Sequence, residues 1–361
     1  MTRPASHRPD TPASPPKPTH AGVAPMTGWP TETGRLPLGD LRLQSGAVLP
    51  DAVLGWKTHG TLSPTRDNVV LYPTSYGAQH PDLEWLIGPD GVLDPGRWFI
   101  VQVDMFTNGL SSSPSNTPGW PGLVTAWDNV HAQRRLLLEL WGIEHLHTVY
   151  GWSMGAQQAY HWAALFPEAV ARIVVNCGSA RTATHNQVFL RSLMATLEAA
   201  PQHLGDGRFD GQPTAALRAF GRIYAGWAVT QDWYRAGLHL AGGAPDLETY
   251  LRTDWEERYL RRAAADLYWQ LRTWDAGDIS RDERYGGDLP KALAAIQARV
   301  LLMPGSTDLY FRVADNEAEL PHLRHAELRP IPSIWGHRAG NPMANPADAA
   351  FIRAEVRRWL E

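Results

Sequence analysis

One short segment places a serine between two glycines at the junction of a predicted strand and a predicted helix. Residues 151–155 have the sequence Gly-Trp-Ser-Met-Gly, follow the apolar run 148–150 and precede a helical pattern over 154–166. This is the Gly-x-Ser-x-Gly pattern in the strand–turn–helix context that a serine nucleophile requires. The sharp turn lifts the serine hydroxyl above the strand end, and the glycines remove side chains that would collide there. We predict Ser153 as a nucleophile; the alternative is an ordinary glycine-rich turn.

An acid and a base follow Ser153 in the order expected for a Ser–Asp–His triad. Asp308 comes just after the apolar run 300–303, and His337 lies in the loop after the run 327–331. Because both follow the carboxyl ends of predicted parallel strands, they should meet the serine at one edge of the sheet. A hydroxyl is a poor nucleophile until a base accepts its proton, which is the role predicted for His337. Asp308 would fix the imidazole tautomer.

Other residues compete for these two roles. Asp315 lies inside the helix predicted to follow the acid. His325 precedes the last strand, at the opposite edge, and His161 lies on the helix after the serine. Asp308 would also suit a helix N-cap, and His337 would suit a turn. Position in the chain favours Asp308 and His337 for the triad.

A serine nucleophile also needs two donors where negative charge develops on the substrate oxygen. One should be the backbone N–H of Met154, directly after the serine. The second should come from the loop after the first buried strand, which offers Thr74, Ser75 and Tyr76. We choose Ser75; the alternative is that this loop is only a Gly/Pro turn.

Short apolar runs alternate with helical patterns along most of the chain, which indicates a parallel sheet with helices on both faces. Strand patterns are absent from 181–289, which is helical and rich in Trp, Tyr and Arg. An all-helical insertion in a parallel sheet is most simply a cap over its carboxyl edge, where ligands bind. The predicted elements are a hairpin of 41–44 and 52–59, strands 69–72, 98–103, 148–150, 173–176, 300–303 and 327–331, and helices 125–141, 154–166 and 346–360.

The predicted fold class is therefore α/β, with a mostly parallel central sheet and a helical cap. Residues 1–34 carry eight prolines and are predicted to be a disordered tail, because they cannot bury enough apolar surface to offset the entropy of ordering. Residues 35–180 and 290–361 form the predicted core, and residues 181–289 form the cap.

Composition limits the classes of partner and cofactor that the protein is expected to bind. The 361-residue chain has a formal net charge of -4 and no long run of Lys or Arg, which argues against nucleic acid. No stretch of about 18 apolar residues predicts a membrane span. One cysteine, Cys177, excludes an intramolecular disulfide and fits a cytoplasmic location. No metal-ligand spacing or phosphate-binding glycine loop occurs, so we predict neither a metal nor a cofactor. A homodimer is compatible with the sequence.

The sixteen tryptophans indicate a mixture of aromatic core and aromatic-lined pocket. The predicted cap contributes the aromatic residues Trp227, Trp233, Tyr234, Trp255, Trp269 and Trp274. Our candidates for the substrate pocket are Tyr76, Trp152, Arg222, Tyr224, Trp227 and Arg338.

Several segments together resemble the homoserine O-acetyltransferase family of α/β hydrolases, from about residue 36 to the C-terminus. They are 85–89 (Trp-Leu-Ile-Gly-Pro), 108–115 (Asn-Gly-Leu-Ser-Ser-Ser-Pro-Ser), 128–130 (Asp-Asn-Val), 156–163 (Ala-Gln-Gln-Ala-Tyr-His-Trp-Ala) and the pair of Asp308 with Gly336-His337. The resemblance implies the α/β-hydrolase fold, a helical cap over a tunnel to the serine, and an acyl-serine intermediate. In the transferases an acetyl group passes from acetyl-CoA to homoserine, whereas related members of the family hydrolyse simple esters.

The sequence differs from the transferases beside the predicted site. Trp152 and Ala156 stand where the transferases usually carry glycines, and residues 74–77 read Thr-Ser-Tyr-Gly in place of their Leu-Thr-Gly. Arg338 follows His337, where they usually carry an aspartate. An arginine there would repel an ammonium group and attract a carboxylate.

These differences favour a hydrolase that cleaves a carboxylic ester over an acyltransferase that moves an acetyl group from acetyl-CoA to an alcohol. A non-catalytic binding protein on the same fold is a third hypothesis. It is disfavoured because such proteins usually lose a triad member, and all three are present here. The expected partner is a small-molecule ester or thioester.

Overall fold

The structure, a computed structural model, describes residues 28–361 and is built around one eight-stranded sheet. In chain order the strands are β1 (Thr31–Arg42), β2 (Val48–His59), β3 (Val69–Pro73), β4 (Phe99–Val103), β5 (Leu146–Trp152), β6 (Val170–Asn176), β7 (Arg299–Met303) and β8 (Ala326–Leu328). Their order across the sheet is β1-β2-β4-β3-β5-β6-β7-β8. The pairs β1–β2 and β2–β4 are antiparallel and all others are parallel. The predicted mostly parallel sheet is confirmed.

Helices connect and cover the strands. They are α1 (Ala126–Trp141), α2 (Met154–Leu165), α3 (Thr184–Glu198), α4 (Thr214–Ala228), α5 (Gln231–Arg235), α6 (Leu247–Tyr250), α7 (Glu257–Leu260), α8 (Ala264–Asp275), α9 (Leu289–Ala294), α10 (Val313–Glu319) and α11 (Pro346–Leu360), with a π-helical turn at Leu251–Glu256 between α6 and α7. Among the residues described, no helix combines the length and the apolar character that crossing a membrane requires.

The central strands are buried on both faces, as expected for parallel strands between two helical layers. In β3, Val69 and Leu71 join one apolar cluster, which includes buried residues of α1 and α2. Val70 and Tyr72 point to the other face and join a second cluster, which includes buried residues of α11. Successive side chains on a strand alternate between faces, so one apolar run serves both layers.

A third apolar cluster lies at the carboxyl edge of the sheet. It combines buried residues of α3, α4 and α8 with Met105, Met154, Tyr310 and Phe311, which follow β4, β5 and β7. The regular elements between β6 and β7 are helices α3 to α9. Helix α9 begins at Leu289 and crosses the predicted boundary between cap and core, and the division of the chain at 181–289 stays a prediction.

The predicted bounds of several strands differ from the structure, among them those of the two edge strands, β1 and β8. Strand β1 begins at Thr31 and pairs with His59, so the last residues of the predicted tail are strand; residues 1–27 lie outside the described part. Gly34 packs its α-carbon against the indole of Trp56, where a β-carbon would come within 2.4 Å of the ring. The polar, glycine-containing start of β1 has no apolar alternation, which is why the pattern missed it. Strand β8 ends at Leu328, and Ile331 forms only a single bridge to Gly305.

Candidate active site

The turn between β5 and α2 holds Ser153 in a backbone conformation that few side chains adopt. Its φ is 58° and its ψ is -124°, in the strained region where functional residues are often found. The turn is closed by two glycines. A β-carbon at Gly151 would lie 2.2 Å from the carbonyl oxygen of Gly155, and one at Gly155 would lie 2.8 Å from that of Pro73. Only glycine fits at both positions, which explains the Gly-x-Ser-x-Gly spacing.

Three side chains from separate loops meet at this edge of the sheet. Ser153 Oγ lies 2.9 Å from His337 Nε2, and His337 Nδ1 lies 2.7 Å from Asp308 Oδ2. All three residues are buried, with 4% or less of their surface exposed. The second oxygen, Asp308 Oδ1, accepts the backbone N–H groups of Tyr310 at 2.7 Å and Phe311 at 3.3 Å. The carboxylate is thereby held with one oxygen facing the imidazole.

The loops after β7 and β8 are fixed against each other, and this sets the distance between Asp308 and His337. A β-carbon on Gly305 would lie 2.8 Å from the carbonyl oxygen of Gly336. The ring of His337 stacks on Trp152 at 5.3 Å between centroids and meets the edge of Tyr310 at 4.8 Å. Aromatic contacts on the ring restrict its rotation, so the hydrogen bonds to the two partners are pre-organised.

The predicted oxyanion donors lie at a helix start and in the loop after β3. The N–H of Met154 is at the first position of α2, where no carbonyl four residues earlier is available within the helix. In the loop, the N–H of Thr74 donates to Val103 at 2.9 Å, and that of Gly77 donates to Gln270 Oε1 at 2.7 Å. Within residues 28–361 the amides of Ser75 and Tyr76 donate to no protein acceptor. Ser75 as the second donor stays a prediction, with Tyr76 as its neighbour.

Two glutamines that the sequence reasoning did not identify hold this loop. Gln158 Nε2 donates to the carbonyl of Thr74 at 3.0 Å, and Gln158 Oε1 accepts from Gln133 at 2.6 Å. Gln270 on α8 accepts from the loop and donates to the carbonyl of Thr107 at 2.9 Å. For Gln158 the available signal was a polar residue on α2, a helix that is buried along its whole length, because a buried polar side chain needs a hydrogen-bond partner.

A cavity of about 380 Å³ opens beside His337. Of the predicted pocket residues, Tyr76, Trp152, Tyr224 and Arg338 line it. The segment from Trp255 to Arg262 contributes the further lining residues Trp255, Arg258, Tyr259, Arg261 and Arg262, which were not singled out from the sequence as a group.

Two of the predicted pocket residues lie elsewhere. Arg222 donates to Glu256 at 2.6 Å and also bonds Glu248. These two carboxylates belong to the π-helical turn and to α6, and they occupy the guanidinium of Arg222. Trp227 packs against Phe189, with centroids 4.9 Å apart, and against His185. Arg222 is two residues from Tyr224 and therefore lies on the opposite side of α4 from the cavity that Tyr224 lines. Trp227 is three residues from Tyr224 and lies nearer to its face, but its ring is taken up by the packing on Phe189 of α3.

Burial shapes the electrostatics around the imidazole. It raises the pKa of the Tyr310 hydroxyl and of the Cys177 thiol, so both stay neutral. It also lowers the pKa of Arg338 to about 10, with a smaller contribution from the positive charge of Arg258. Arg338 therefore stays charged at neutral pH but loses much of its hydration.

The only cluster of potential metal ligands among the described residues is Cys177 with Asp308 and His337, whose ligand atoms lie within 4.8 Å of one another. Both ring nitrogens of His337 already face hydrogen-bond partners, and the thiol is neutral. A zinc site would need a deprotonated thiol and a free imidazole nitrogen. The arrangement suits proton transfer between serine and imidazole better than metal binding.

Comparisons with known proteins show the family to which the chain belongs. Residues 82–329 match the model of the alpha/beta hydrolase fold family. The chain is 34% identical over 307 residues to ethyl acetate hydrolase of Pseudomonas veronii, covering 83% of this chain and 87% of that protein. It is 28% identical to homoserine O-acetyltransferase of Symbiobacterium thermophilum, covering 90% and 93% of the two chains.

Among solved structures, the acetyl esterase MekB superposes with a TM-score of 0.87 at 31% identity, over 91% of this chain and 96% of that one. The matched family model covers more than half of the chain, and the 34% identical relative is covered over most of its length. The chain therefore belongs to the alpha/beta hydrolase fold family, in the group that contains homoserine O-acetyltransferases and their ester-hydrolysing relatives.

Proposed function

We propose that this protein hydrolyses small carboxylic esters through an acyl intermediate on Ser153, with His337 as the general base and Asp308 as the carboxylate that orients it. The observation that carries the proposal is the continuous pair of hydrogen bonds, 2.9 Å from serine to imidazole and 2.7 Å from imidazole to carboxylate, on a strained turn. The similarity to an ethyl acetate hydrolase and an acetyl esterase supports an ester with a short acyl group.

The reaction follows from the positions of the three groups. Ser153 Oγ attacks the ester carbonyl carbon while its proton passes to His337 Nε2. The bond to the leaving oxygen breaks as that oxygen takes the proton from Nε2, which leaves an acyl-serine. Water then attacks the acyl group, gives its proton to Nε2, and the acid departs as Oγ is reprotonated. Asp308 stabilises the imidazolium in both halves, and backbone N–H groups at Met154 and Ser75 would hold the oxyanion.

Replacement of the nucleophile tests this mechanism directly. Ser153→Ala should lower kcat for p-nitrophenyl acetate by several orders of magnitude, on the order of 10⁶ where loss of a serine nucleophile has been measured. It should also abolish covalent labelling by a fluorophosphonate. Ser192→Ala, an exposed serine on α3 that donates to Val188, is the matched control and should label normally. A Ser153→Ala protein that still labels would disprove the assignment.

Acyl transfer is the second candidate, because the site is shielded from solvent. Ser153 and His337 expose only 2% and 4% of their surface, and exclusion of water favours transfer to another alcohol. Steady-state assays with p-nitrophenyl acetate or acetyl-CoA, with and without homoserine, separate the two activities. Release of CoA that depends on homoserine, with slow ester hydrolysis, would establish a transferase. Fast hydrolysis unaffected by homoserine supports the esterase.

The proposal also includes a location in the cell and an oligomeric state. A single buried cysteine, Cys177, supports a cytoplasmic location, and a homodimer is the assembly that we test for. Fractionation of the source cells and the mass in solution by light scattering check these two points.

A further inference from the structure

One arginine beside the proposed catalytic histidine has no counter-ion. Arg338 follows His337 in the turn Gly336–Gly340, and its guanidinium makes no salt bridge or hydrogen bond with any described residue. Two arginines of α4 show the usual pairing: Arg218 and Arg222 both donate to Glu256, at 2.5 and 2.6 Å. An unpaired guanidinium that is half-buried is unusual, because desolvation of a charge is costly unless a partner compensates it.

Arg338 stands where two cavities meet. It lines the 380 Å³ cavity beside His337 and a second cavity of about 560 Å³. Trp255 and Arg258 also line both, so these three side chains form the wall between them. A group held at this wall is within reach of the proposed nucleophile, because the α-carbon of Arg338 is one residue, about 3.8 Å, from that of His337.

The lining of the first cavity is strongly positive. Four arginines line it, Arg258, Arg261, Arg262 and Arg338, together with one carboxylate, Asp82. Asp82 is already bonded to Arg262 at 2.7 Å and to Arg261 at 3.3 Å. Two positive charges therefore remain without a carboxylate partner, although the whole chain has a net charge of -4.

The second free charge, Arg258, lines the same two cavities as Arg338. It donates through Nε to the carbonyl of Asp254 at 3.2 Å and lies 5.7 Å from the ring of Trp255, which leaves its terminal nitrogens available. The carboxylate of Asp254 lines the second cavity but does not come within 4.0 Å of Arg338. Two guanidinium groups that repel each other would both gain from a shared anion.

From this geometry we propose that Arg338 and Arg258 bind a carboxylate of the substrate, so that the preferred ester carries a free carboxylate within a few bonds of the ester carbonyl. A planar guanidinium binds a carboxylate with two parallel hydrogen bonds, which fixes orientation as well as charge. This inference rests on the proposed ester hydrolysis at Ser153 and adds the class of substrate.

The carboxylate can belong to the acyl part or to the alcohol part of the ester, and two pairs of matched substrates distinguish them. Monoethyl succinate and ethyl succinamate differ by an acid or an amide on the acyl side. O-acetylglycolate and O-acetylglycolamide differ in the same way on the alcohol side. In one pair, kcat/KM should favour the acid by about tenfold or more, which corresponds to one charge-assisted interaction. Most of the gain should appear in KM, since the carboxylate keeps its charge during the reaction.

Variants then test whether Arg338 causes the preference for the acid over the amide. Arg338→Gln should bring the ratio of acid to amide close to one, whereas Arg338→Lys should keep part of it because the charge remains. Arg261→Gln is the control, because Arg261 lines the same cavity but is paired with Asp82, and it should retain the ratio. If both glutamine variants lost the preference for the acid over the amide, the summed positive charge of the cavity would cause that preference, and the proposed site would be wrong. A preference that survives Arg338→Gln would also overturn the proposal.

If Arg338→Gln fails to fold, wild-type protein alone can test whether the site binds a carboxylate. Succinate should inhibit hydrolysis of p-nitrophenyl acetate competitively and more strongly than succinamide. Equal inhibition by the two, or a ratio at or below one in both substrate pairs, would overturn the inference while ester hydrolysis itself stands. Absence of turnover with every ester, together with absence of fluorophosphonate labelling, would instead reject the proposed function.

Discussion

At the scale of single residues, Asp308 divides its carboxylate between two tasks. Oδ1 accepts two backbone N–H groups and Oδ2 faces His337 Nδ1. An asparagine would keep Oδ1 in place and present an NH₂ group to the imidazole, which favours the wrong tautomer for a base facing Ser153. Asp308→Asn should lower kcat for p-nitrophenyl acetate on the order of 10⁴, the effect known for this substitution in a serine protease.

The control for this prediction is Asp315→Asn, because Asp315 is the competing acid in the sequence. Its side chain accepts the N–H of Arg312 at the start of α10, a capping role that an asparagine largely preserves. We expect its kcat to stay close to wild type. If the two variants lost activity to similar extents, or Asp308→Asn lost only a few-fold, a different carboxylate would orient His337.

The sequence located the three meeting residues through their place at strand ends, not through their types. Many aspartates and histidines occur in the chain, but Asp308 and His337 follow strands whose carboxyl ends share an edge with the serine turn. The same reasoning had no means of placing Arg222, because the choice between the cavity and Glu256 depends on which face of α4 turns inward. That face is set by packing against the π-helical turn, a contact between distant segments.

At the scale of elements, the turn between β5 and α2 depends on close backbone contact. The β-carbon of an alanine at position 151 would lie 2.2 Å from the carbonyl oxygen of Gly155, which is backbone and has little freedom to move. Gly151→Ala should therefore lower the free energy of unfolding by about 1–3 kcal/mol or more. It should also lower kcat strongly, because the serine turn must shift. Chemical denaturation and the ester assay measure the two effects.

Gly226→Ala provides the comparison for a glycine without such contacts. Gly226 lies within α4, and a β-carbon there would meet no atom within 4 Å. Alanine favours the helix by about 1 kcal/mol over glycine, so this variant should be unchanged or more stable. A Gly151→Ala protein as stable and active as Gly226→Ala would show that the turn tolerates a side chain and that its spacing has another cause.

Strands were predicted best where both faces are buried. The strands β3, β5, β6 and β7 each carry a run of buried, mostly apolar residues, so their pattern does not depend on a partner. The start of β1 is different: its pairing with β2 involves a glycine against the ring of Trp56, which only the folded hairpin reveals. Edge strands with one exposed face carry a weaker signal, and β8 accordingly ends three residues before the predicted strand 327–331 does.

At the scale of the whole molecule, the apolar cluster over the sheet edge couples helices α3, α4 and α8 to the site. Phe189 on α3 stacks on Tyr310 at 4.8 Å, and Trp274 on α8 stacks on Phe311 at 5.6 Å. Tyr310 and Phe311 are the residues whose N–H groups hold Asp308. Movement of these helices would therefore reach the carboxylate through two aromatic contacts, which makes the cluster part of what keeps the triad geometry.

A buried carboxyl on α10 is bonded to two other parts of the molecule, α2 and the segment after β6, and should make stability depend on pH. Glu319 at the end of α10 accepts hydrogen bonds from Tyr160 at 2.7 Å, from Asn316 at 2.9 Å and from the N–H of Ala180 at 2.6 Å. Burial raises its pKa from 4.5 to about 7, more than these bonds lower it. The folded protein thus holds this proton more tightly than the unfolded chain does.

Because the pKa of Glu319 is higher in the folded protein than in the unfolded chain, its protonation stabilises the fold. This contribution to the free energy of unfolding is complete below about pH 4.5 and is lost as the pH rises through about 7. Glu319→Gln cannot ionise, so the stability of wild type relative to this variant should fall between about pH 5 and pH 8, by at most about 1.4 kcal/mol per pH unit. Glu317→Gln, an exposed position on the same helix, should follow wild type throughout. Parallel pH profiles of Glu319→Gln and wild type would mean that Glu319 is ionised in the folded protein across this range and that the three donors outweigh its burial.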